Sequence, residues 1–204
     1  VKALEGKGAI AVGTEEVRRK PRLLTDESRS RDPELMPGQK RAVEEIVGAL
    51  DSGGGRFLLN GVTGSGKTEV YIRVIRRALE TGKGAIVLVP EIALTPQMVS
   101  WLHARGGDAA VLHSRLSAGE RYDEWRRIRF GEARVVIGAR SAVFAPVKNL
   151  GAIIIDEEHE HTYQSDTRPR YDAREIAWKR MDDLGGVLVL GSATPSISSY
   201  MRAM

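Results

Sequence analysis

The feature that most constrains the fold of this chain is a glycine-rich loop, GVTGSGKT, which follows a short apolar run and precedes a helical pattern. Glycines allow backbone N–H groups to turn inward around phosphate oxygens, and the N-terminus of the next helix adds positive potential. The lysine of such a loop reaches the β- and γ-phosphates of a nucleotide, and the last hydroxyl ligates Mg²⁺. The sequence therefore predicts a phosphate-binding site formed by Gly61, Val62, Thr63, Gly64, Ser65, Gly66, Lys67 and Thr68.

Short apolar runs alternate with amphipathic stretches from Gln39 onward. The runs are Phe57–Leu59, Ala85–Val89, Ala109–Leu112, Arg134–Ile137, Ile153–Ile155 and Val187–Leu190. Runs of this length, many of them β-branched and bounded by Gly, Pro or Asp, are typical of strands buried on both faces. Strand–helix alternation predicts an α/β fold with a doubly wound, mainly parallel sheet. Ligands of such sheets bind beyond the carboxyl ends of the strands, so the loops after these runs are the candidate sites.

Two of those loops carry further polar residues. Asp156 and Glu157 follow the fifth run, where Asp156 can hold Mg²⁺ through water and Glu157 can orient or deprotonate an attacking water. The alternative is an acidic helix start, which the helix dipole also favours; the phosphate loop elsewhere in the chain argues for the catalytic interpretation. Ser192 and Thr194 follow the sixth run and are either hydrogen-bonding partners of the acidic motif or a simple turn.

Composition excludes several classes of protein. The chain has 204 residues, no cysteine and a formal charge of +4. Disulfides, cysteine-ligated zinc and a thiol nucleophile are therefore excluded for this stretch, and the apolar runs are too short to cross a bilayer. The small basic excess permits an anionic partner such as nucleic acid without requiring one. Because the chain begins at Val1 and stops just after a motif, we expect it to be an excerpt of a longer protein.

The first 36 residues differ in pattern from the rest. Residues 1–21 have the order of a strand, a turn and a basic strand, which fits either a plain hairpin or the wing of a winged-helix DNA-binding domain. Residues 22–36 are rich in charge, Ser and Pro and predict a linker. Residues 37–204 then form the α/β domain.

Several motifs together resemble one family. The phosphate loop, Asp156–His159 (DEEH) and Ser192–Thr194 (SAT) are similar to motifs I, II and III of superfamily 2 helicases. Within that superfamily the chain resembles the PriA family of replication-restart helicases. The segments that carry this resemblance are GVTGSGKTEVY (61–71), LVPEIALTPQ (88–97), LHS (112–114), GARSAVFAP (138–146), PRYDAR (169–174) and LGSATPS (190–196).

The resemblance implies the first RecA-like lobe of a 3′→5′ DNA helicase that hydrolyses ATP with Mg²⁺ and acts in primosome assembly at stalled forks. The implied partners are single-stranded and forked DNA, a second helicase lobe, primosome proteins and single-strand-binding proteins, in the cytoplasm at the bacterial nucleoid. Zinc is implied only for a part of the family outside this chain. Residues 1–21 would then be a winged-helix remnant, and Gln39 would match the motif that reads adenine.

The resemblance also assigns nucleic-acid contact and coupling. The residues concerned are Arg140, Ser141, His159, Tyr163, Arg168, Arg170, Tyr171, Ser192 and Thr194. Aromatics of the long loop 157–171 can stack on unpaired bases while its arginines hold phosphate; the alternative is an exposed loop without base contact. Three positions depart from the family pattern: Ala139 in place of Thr, Asp172 in place of His, and a segment 161–165 without the usual Lys.

Two functions remain open at this stage. The first is a DNA-stimulated ATPase motor with Lys67, Asp156 and Glu157 as catalytic residues. The second is an ATP- and DNA-binding scaffold that has lost turnover and recruits replication partners. A kinase is disfavoured because the SAT and 90–97 segments have no role in one.

Overall fold

The computed structural model describes residues 33–62, 64–90 and 109–203. Six strands alternate with helices along the chain. The strands are β1 (Gly55–Asn60), β2 (Gly84–Leu88), β3 (Ala109–Leu112), β4 (Val135–Gly138), β5 (Leu150–Ile155) and β6 (Val187–Ser192). The helices are α1 (Pro37–Ser52), α2 (Lys67–Glu80), α3 (Ala118–Phe130), α4 (Ala173–Leu184) and α5 (Ile197–Ala203), with 3₁₀ helices at Arg140–Phe144 and His161–Tyr163.

The six strands form one sheet in the order β1-β6-β5-β2-β4-β3, and every neighbouring pair is parallel. Each strand coincides with one of the six apolar runs, so the predicted α/β fold is confirmed. Because the strands are parallel, the loops that follow them all open at one edge of the sheet.

Helices cover both faces of the sheet. The side chains of α1 and α2, including Leu50 and Val74, pack against one set of strand residues such as Val87 and Ile154. The alternate strand residues, such as Ile86, pack on the other face with parts of α3 and α4. Burial on both faces explains why the strand sequences are continuously apolar rather than alternating.

Two helix starts are fixed by side chains. Ser117 precedes α3, and its hydroxyl accepts from the Glu120 backbone N–H while the Glu120 carboxylate accepts from the Ser117 N–H, which makes a capping box. Asp172 precedes α4 and accepts from the Arg174 N–H. Asp172, one of the three positions that depart from the family pattern, therefore caps a helix in this fold.

Some predictions lie outside the described residues. These are the winged-helix remnant 1–21, the linker except residues 33–36, residues 91–97 of the LVPEIALTPQ segment, and Thr63. No helix in the described ranges is long and apolar enough to span a membrane.

Candidate nucleotide site and nucleic-acid groove

The phosphate loop lies where β1 ends and α2 begins. Gly64 and Gly66 have φ values of +81° and +78°, which side chains other than glycine rarely adopt. This conformation bends the loop along the wall of a cavity of about 540 Å³. The cavity is lined by Pro33, Glu34, Met36, Gln39, Gly64, Ser65, Gly66, Lys67, Thr68, Glu69, Asp156 and Glu157.

Lys67 connects the loop to the acidic motif. Its buried Nζ donates to the Gly61 carbonyl at 2.7 Å and lies 3.6 Å from Glu157 Oε1. The structure thus brings together the predicted catalytic residues Lys67, Asp156 and Glu157, with Thr68 in the same cavity. The ammonium of Lys67, the hydroxyl of Thr68 and the carboxylates of Asp156 and Glu157 fit the chemistry of a nucleoside triphosphate with its Mg²⁺.

Asp156 is held by two tyrosines that approach from opposite faces of the sheet. Tyr71, on α2, donates its hydroxyl to Asp156 Oδ1 at 2.9 Å. Tyr163, from the other face, donates to the Asp156 main-chain carbonyl at 2.5 Å and to that of Leu88 at 3.2 Å. One phenol therefore orients the carboxylate, and the other fixes the backbone that carries it.

The electrostatics keep these phenols as donors. Burial, with the charge of Asp156 beside it, raises the pKa of Tyr71 well above its usual range, so its hydroxyl stays protonated. Burial also raises the pKa of Asp156, and Glu157 adds to this effect, while the hydrogen bond from Tyr71 opposes it. Tyr71 thus favours the ionised form of Asp156, the form that ligates a cation.

The backbone at Glu157 departs from ordinary geometry. Its φ is +46°, in the left-handed region that a glutamate seldom occupies. This turn follows directly on β5 and leaves Glu157 facing Lys67 on one side and His159 on the other, with His159 Nδ1 3.6 Å from Glu157 Oε2. Local strain of this kind persists where the surrounding contacts hold the segment in place.

His159 links the acidic motif to the SAT segment. Its Nδ1 lies 2.7 Å from Ser192 Oγ, and the same hydroxyl accepts from the Thr194 N–H at 3.1 Å. The predicted coupling residues His159, Ser192 and Thr194 are therefore contiguous with Glu157.

Glu158 adds a second connection to the same segment. Its carboxylate is fully buried and accepts from the Ser196 N–H at 2.7 Å and from the Ser199 hydroxyl at 2.8 Å. Its carbonyl accepts from Arg174 Nη1 at 2.8 Å. Glu158 therefore fixes the start of α5, and with it the chain that leaves β6, relative to the acidic motif.

Gln39 ties α1 to the phosphate loop. Its Nε2 donates to the Ser65 carbonyl at 2.8 Å, and its Oε1 accepts from the Met36 N–H at the same distance. A Cβ on Gly66 would lie 2.4 Å from Gln39 Nε2, so a glycine is needed there for this contact. Gln39 lines the cavity as predicted; its contact with adenine stays a prediction.

The loop 157–171 differs in part from the prediction. Tyr163 is 1% exposed, so the expectation that it stacks directly on a base is wrong: its ring belongs to the core beneath β5, although its coupling role stays a prediction. Arg168 and Arg170 are exposed. Tyr171 is half-buried and meets Phe144 edge to face, with ring centroids 5.0 Å apart.

Arg140 and Ser141 lie apart from the nucleotide cavity, at the end of β4. Arg140 Nη1 donates to the carbonyls of Thr162 and Gln164, so the loop holds this arginine in place. Ser141 is exposed. Both residues line a separate groove of about 700 Å³.

Sequence reasoning missed Tyr71 and Glu158 as members of the site. Tyr71 belongs to the apolar face of α2 by its spacing, and only the fold shows its hydroxyl at Asp156. The glycine at position 191 is required by this contact, because a Cβ there would lie 1.7 Å from the Tyr71 hydroxyl.

The family model for DEAD/DEAH box helicases matches residues 36–203. The chain belongs to the DEAD/DEAH box helicase family. Helicases of this family use nucleotide and Mg²⁺, which agrees with the side chains that line the cavity.

Within the helicase family, this chain is most informatively compared with replication restart proteins named PriA. The chain is 52% identical to the replication restart protein PriA of Bacillus subtilis over 100% of its length, 45% identical to that of Synechocystis over 98%, and 40% identical to that of Haemophilus influenzae over 97%. It spans 26%, 24% and 28% of those proteins, about a quarter of their length. The resemblance to the PriA family is thus confirmed.

Solved helicases share the fold. The structure of RecG bound to a three-way DNA junction is 27% identical, with a TM-score of 0.64 over 87% of this chain and 23% of that one. The UvsW helicase of bacteriophage T4 is 20% identical with a TM-score of 0.55, over 82% of this chain and 56% of that one. The fold is that of a RecA-like helicase lobe.

Proposed function

We propose that this chain is the first motor lobe of a 3′→5′ DNA helicase that hydrolyses ATP during replication restart at stalled forks. The observation that carries the proposal is the Lys67–Glu157 approach of 3.6 Å across the cavity that Asp156 and Thr68 also line. Similarity to replication restart proteins supports the biological setting, and the DEAD/DEAH family supports the reaction class.

Each residue has a distinct task in this proposal. Lys67 neutralises charge on the terminal phosphates, and Thr68 with Asp156 holds the cation that accompanies them. A bound Mg²⁺ would stabilise the charge that develops on the transferred phosphoryl group. Glu157 orients the attacking water and accepts its proton, and its strained backbone fixes that carboxylate between Lys67 and His159.

The proposed partners follow from the same resemblance. They are single-stranded and forked DNA, a second helicase lobe that closes over the nucleotide, and the primosome and single-strand-binding proteins of the bacterial nucleoid. The chain from Glu157 through His159 to Ser192 gives a direct route by which DNA contact affects hydrolysis.

Three variants test the assignment in the complete protein. Lys67→Ala removes a charge-assisted phosphate contact, and we expect weaker nucleotide binding and turnover reduced by about two orders of magnitude or more.

Glu157→Gln should keep nucleotide and Mg²⁺ bound but stop the chemical step, because the amide cannot accept the proton. Asp156→Ala should lose the Mg²⁺-dependent part of nucleotide affinity.

The measurements are nucleotide titrations with and without Mg²⁺ and ATP turnover with and without forked DNA. Identical behaviour of the Glu157→Gln and Asp156→Ala variants in the titrations would contradict the division of roles. A wild-type protein that binds nucleotide and DNA without turnover would instead support the scaffold alternative.

A further inference from the structure

Glu158, the residue after the strained Glu157, has a buried carboxylate that the proposed reaction does not use. Its side chain is 0% exposed. Its oxygens accept from the Ser196 N–H at 2.7 Å and from the Ser199 hydroxyl at 2.8 Å, and both donors lie where the chain enters α5. Burying a carboxylate is costly unless its oxygens accept hydrogen bonds, so these two contacts indicate what the side chain holds.

The main chain of Glu158 is fixed as well. Its N–H donates to the Gly191 carbonyl at 2.9 Å, and its carbonyl accepts from Arg174 Nη1 at 2.8 Å. The guanidinium of Arg174 is in turn held by the carboxylate of Asp172, which accepts from Nε at 2.9 Å and from Nη2 at 2.7 Å. Glu158 is thus attached to β6, α4 and the start of α5 at the same time.

These contacts hold the turn at Glu157 from its downstream side. On the upstream side, the Asp156 N–H donates to the Leu88 carbonyl at 2.9 Å, and the Asp156 carbonyl accepts from the Tyr163 hydroxyl. The left-handed φ of +46° at Glu157 therefore lies between two fixed segments of main chain. Because a strained conformation persists only where its surroundings determine it, the contacts of Glu158 help to keep Glu157 in the conformation that faces the nucleotide cavity.

The contact with Glu158 supplies a buried anchor that α5 otherwise lacks. Ile197 is 84% exposed and Met201 is 69% exposed, and none of the α5 side chains that the structure describes is buried. A surface helix usually attaches to its domain through a buried apolar face. Since the described part of α5 has no such face, a displacement of α5 would act directly on the Glu158 carboxylate.

We propose that Glu158 is a positioning residue for ATP hydrolysis, which sets the place of the Glu157 carboxylate by tying the acidic motif to the start of α5. This inference rests on the proposed function, in which Glu157 orients the attacking water. Glu158 does not line the nucleotide cavity, so its effect reaches the reaction only through Glu157. A displacement of about 1 Å at a catalytic group can slow a reaction by about 100-fold, whereas nucleotide binding does not depend on this placement.

Glu158→Ala removes the side-chain contacts and leaves those of the main chain. In the complete protein, we expect the single-turnover rate of ATP hydrolysis to fall by about 10-fold to 100-fold, with the affinity for a non-hydrolysable ATP analogue within about twofold of wild type. Glu158→Gln should restore the rate to within about threefold of wild type. Its amide oxygen can still accept from the Ser196 N–H, while its amide nitrogen can donate to the Ser199 hydroxyl.

Glu124→Ala is the matched control. This side chain, on α3, is 1% exposed; it accepts from the Val111 N–H at 3.1 Å and from Arg127 Nη1 at 2.6 Å, outside the nucleotide cavity. Its removal leaves buried donors without an acceptor, so the midpoint of thermal unfolding should fall as it does for Glu158→Ala. The single-turnover rate of this control should stay within about twofold of wild type, because general loss of stability does not move Glu157.

Ser199→Ala tests the same contact from the side of α5. Alone, it should slow the single turnover by a smaller factor than Glu158→Ala. Added to Glu158→Ala, it should change the rate by less than about twofold, because both substitutions break one contact. Full additivity of the two losses would overturn the proposal. Should Glu158→Ala fail to fold, Ser199→Ala decides alone, and a wild-type rate in that variant would overturn the proposal.

The remaining outcomes separate this proposal from the proposed function. A wild-type single-turnover rate in Glu158→Ala would overturn the positioning role, as would equal slowing of Glu158→Ala and Glu124→Ala. A Glu158→Gln variant as slow as Glu158→Ala would also overturn it. Complete absence of ATP turnover in the wild-type protein would instead contradict the proposed function, and the positioning role would fail with it.

Discussion

At the scale of single residues, two phenol hydroxyls position Asp156, one through its carboxylate and the other through its main chain. The Tyr71 hydroxyl fixes Oδ1, and the Tyr163 hydroxyl fixes the main chain of the same residue. Gly191 leaves the space that the first phenol occupies. Such outer contacts set the orientation and charge of a cation ligand, and metal affinity depends on them.

Tyr71→Phe therefore tests positioning at the level of one oxygen atom. The ring keeps its packing in the core while Asp156 loses the donor to Oδ1, so we expect Mg²⁺-dependent nucleotide affinity to fall by about tenfold. The measurement is a fluorescent-nucleotide titration across Mg²⁺ concentrations, repeated with a chelator.

Tyr163→Phe is the matched control for this variant, because its hydroxyl contacts only main-chain carbonyls in the described structure. Its Mg²⁺ titration should lie closer to that of the wild type. An equal shift in the two variants would mean that Tyr71 acts through packing and not through the carboxylate.

The sequence predicted the residues whose role follows from local spacing and missed those whose role arises across the sheet. Lys67, Thr68, Asp156 and Glu157 lie in short motifs, and the parallel sheet brings them to one edge. Tyr71 and Tyr163 are core residues on opposite faces of the sheet. Only the fold shows that both hydroxyls reach Asp156 at the end of β5.

At the scale of elements, α4 depends on a residue that departs from the family pattern. Asp172 accepts from the Arg174 N–H, Nε and Nη2, and also from Gln164 Nε2. Burial raises the pKa of Asp172, but the hydrogen bonds from Arg174 outweigh it and hold the pKa below its usual value. The cap therefore works in its ionised form.

We expect Asp172→Ala to lower the free energy of unfolding by about 1 kcal/mol near neutral pH, because a helix cap is lost. A lowered folded-state pKa means that this contribution is fully present above the unfolded value of about 3.9 and disappears as pH falls through the folded value. Equilibrium urea unfolding at several pH values measures the difference between variant and wild type.

Asp172→Asn serves as the control, because its amide oxygen can still cap α4 while the charge is removed. It should lose less stability than Asp172→Ala and show little pH dependence of its own. A difference between Asp172→Ala and wild type that stays constant from neutral to strongly acidic pH would exclude the ionised cap.

Whole strands were easier to predict than the loops between them. A strand buried on both faces has a continuous apolar sequence, and all six coincide with such runs. The loop 157–171 carries polar residues that resemble an exposed segment, yet it contains a 3₁₀ helix that buries Tyr163. The spacing of apolar residues predicts a buried face only where several of them recur at regular intervals. It therefore cannot predict that the single ring of Tyr163 is buried.

At the scale of the molecule, the strand order distributes two sites along one edge. The nucleotide cavity follows β1 and β5, and the separate groove lined by Arg140 and Ser141 follows the far strands β3 and β4. Both lie at the edge of the sheet where, in the proposed function, a second lobe would close over the nucleotide.

Residues 1–204 alone should therefore bind ATP measurably and hydrolyse it about 10³- to 10⁵-fold more slowly than the complete protein, because the transition state lacks an arginine from the opposing lobe. Single-turnover measurements on both proteins test this, with Glu157→Gln in each background as the control for contaminating ATPase. Comparable rates would place all catalytic groups within this lobe.

The strand order also has a consequence for how the chain is made. β1, which leads into the phosphate loop, pairs only with β6 among the described strands, and β6 is the last of them to leave the ribosome. Strands β2 to β5 can pair with one another while synthesis continues, but the N–H and C=O groups of β1 have no neighbouring strand to pair with until β6 has been made. During translation the sheet beneath the phosphate loop is therefore completed only once β6 has been made, and a pause before residue 187 would leave a nascent chain in which β1 still lacks its neighbouring strand.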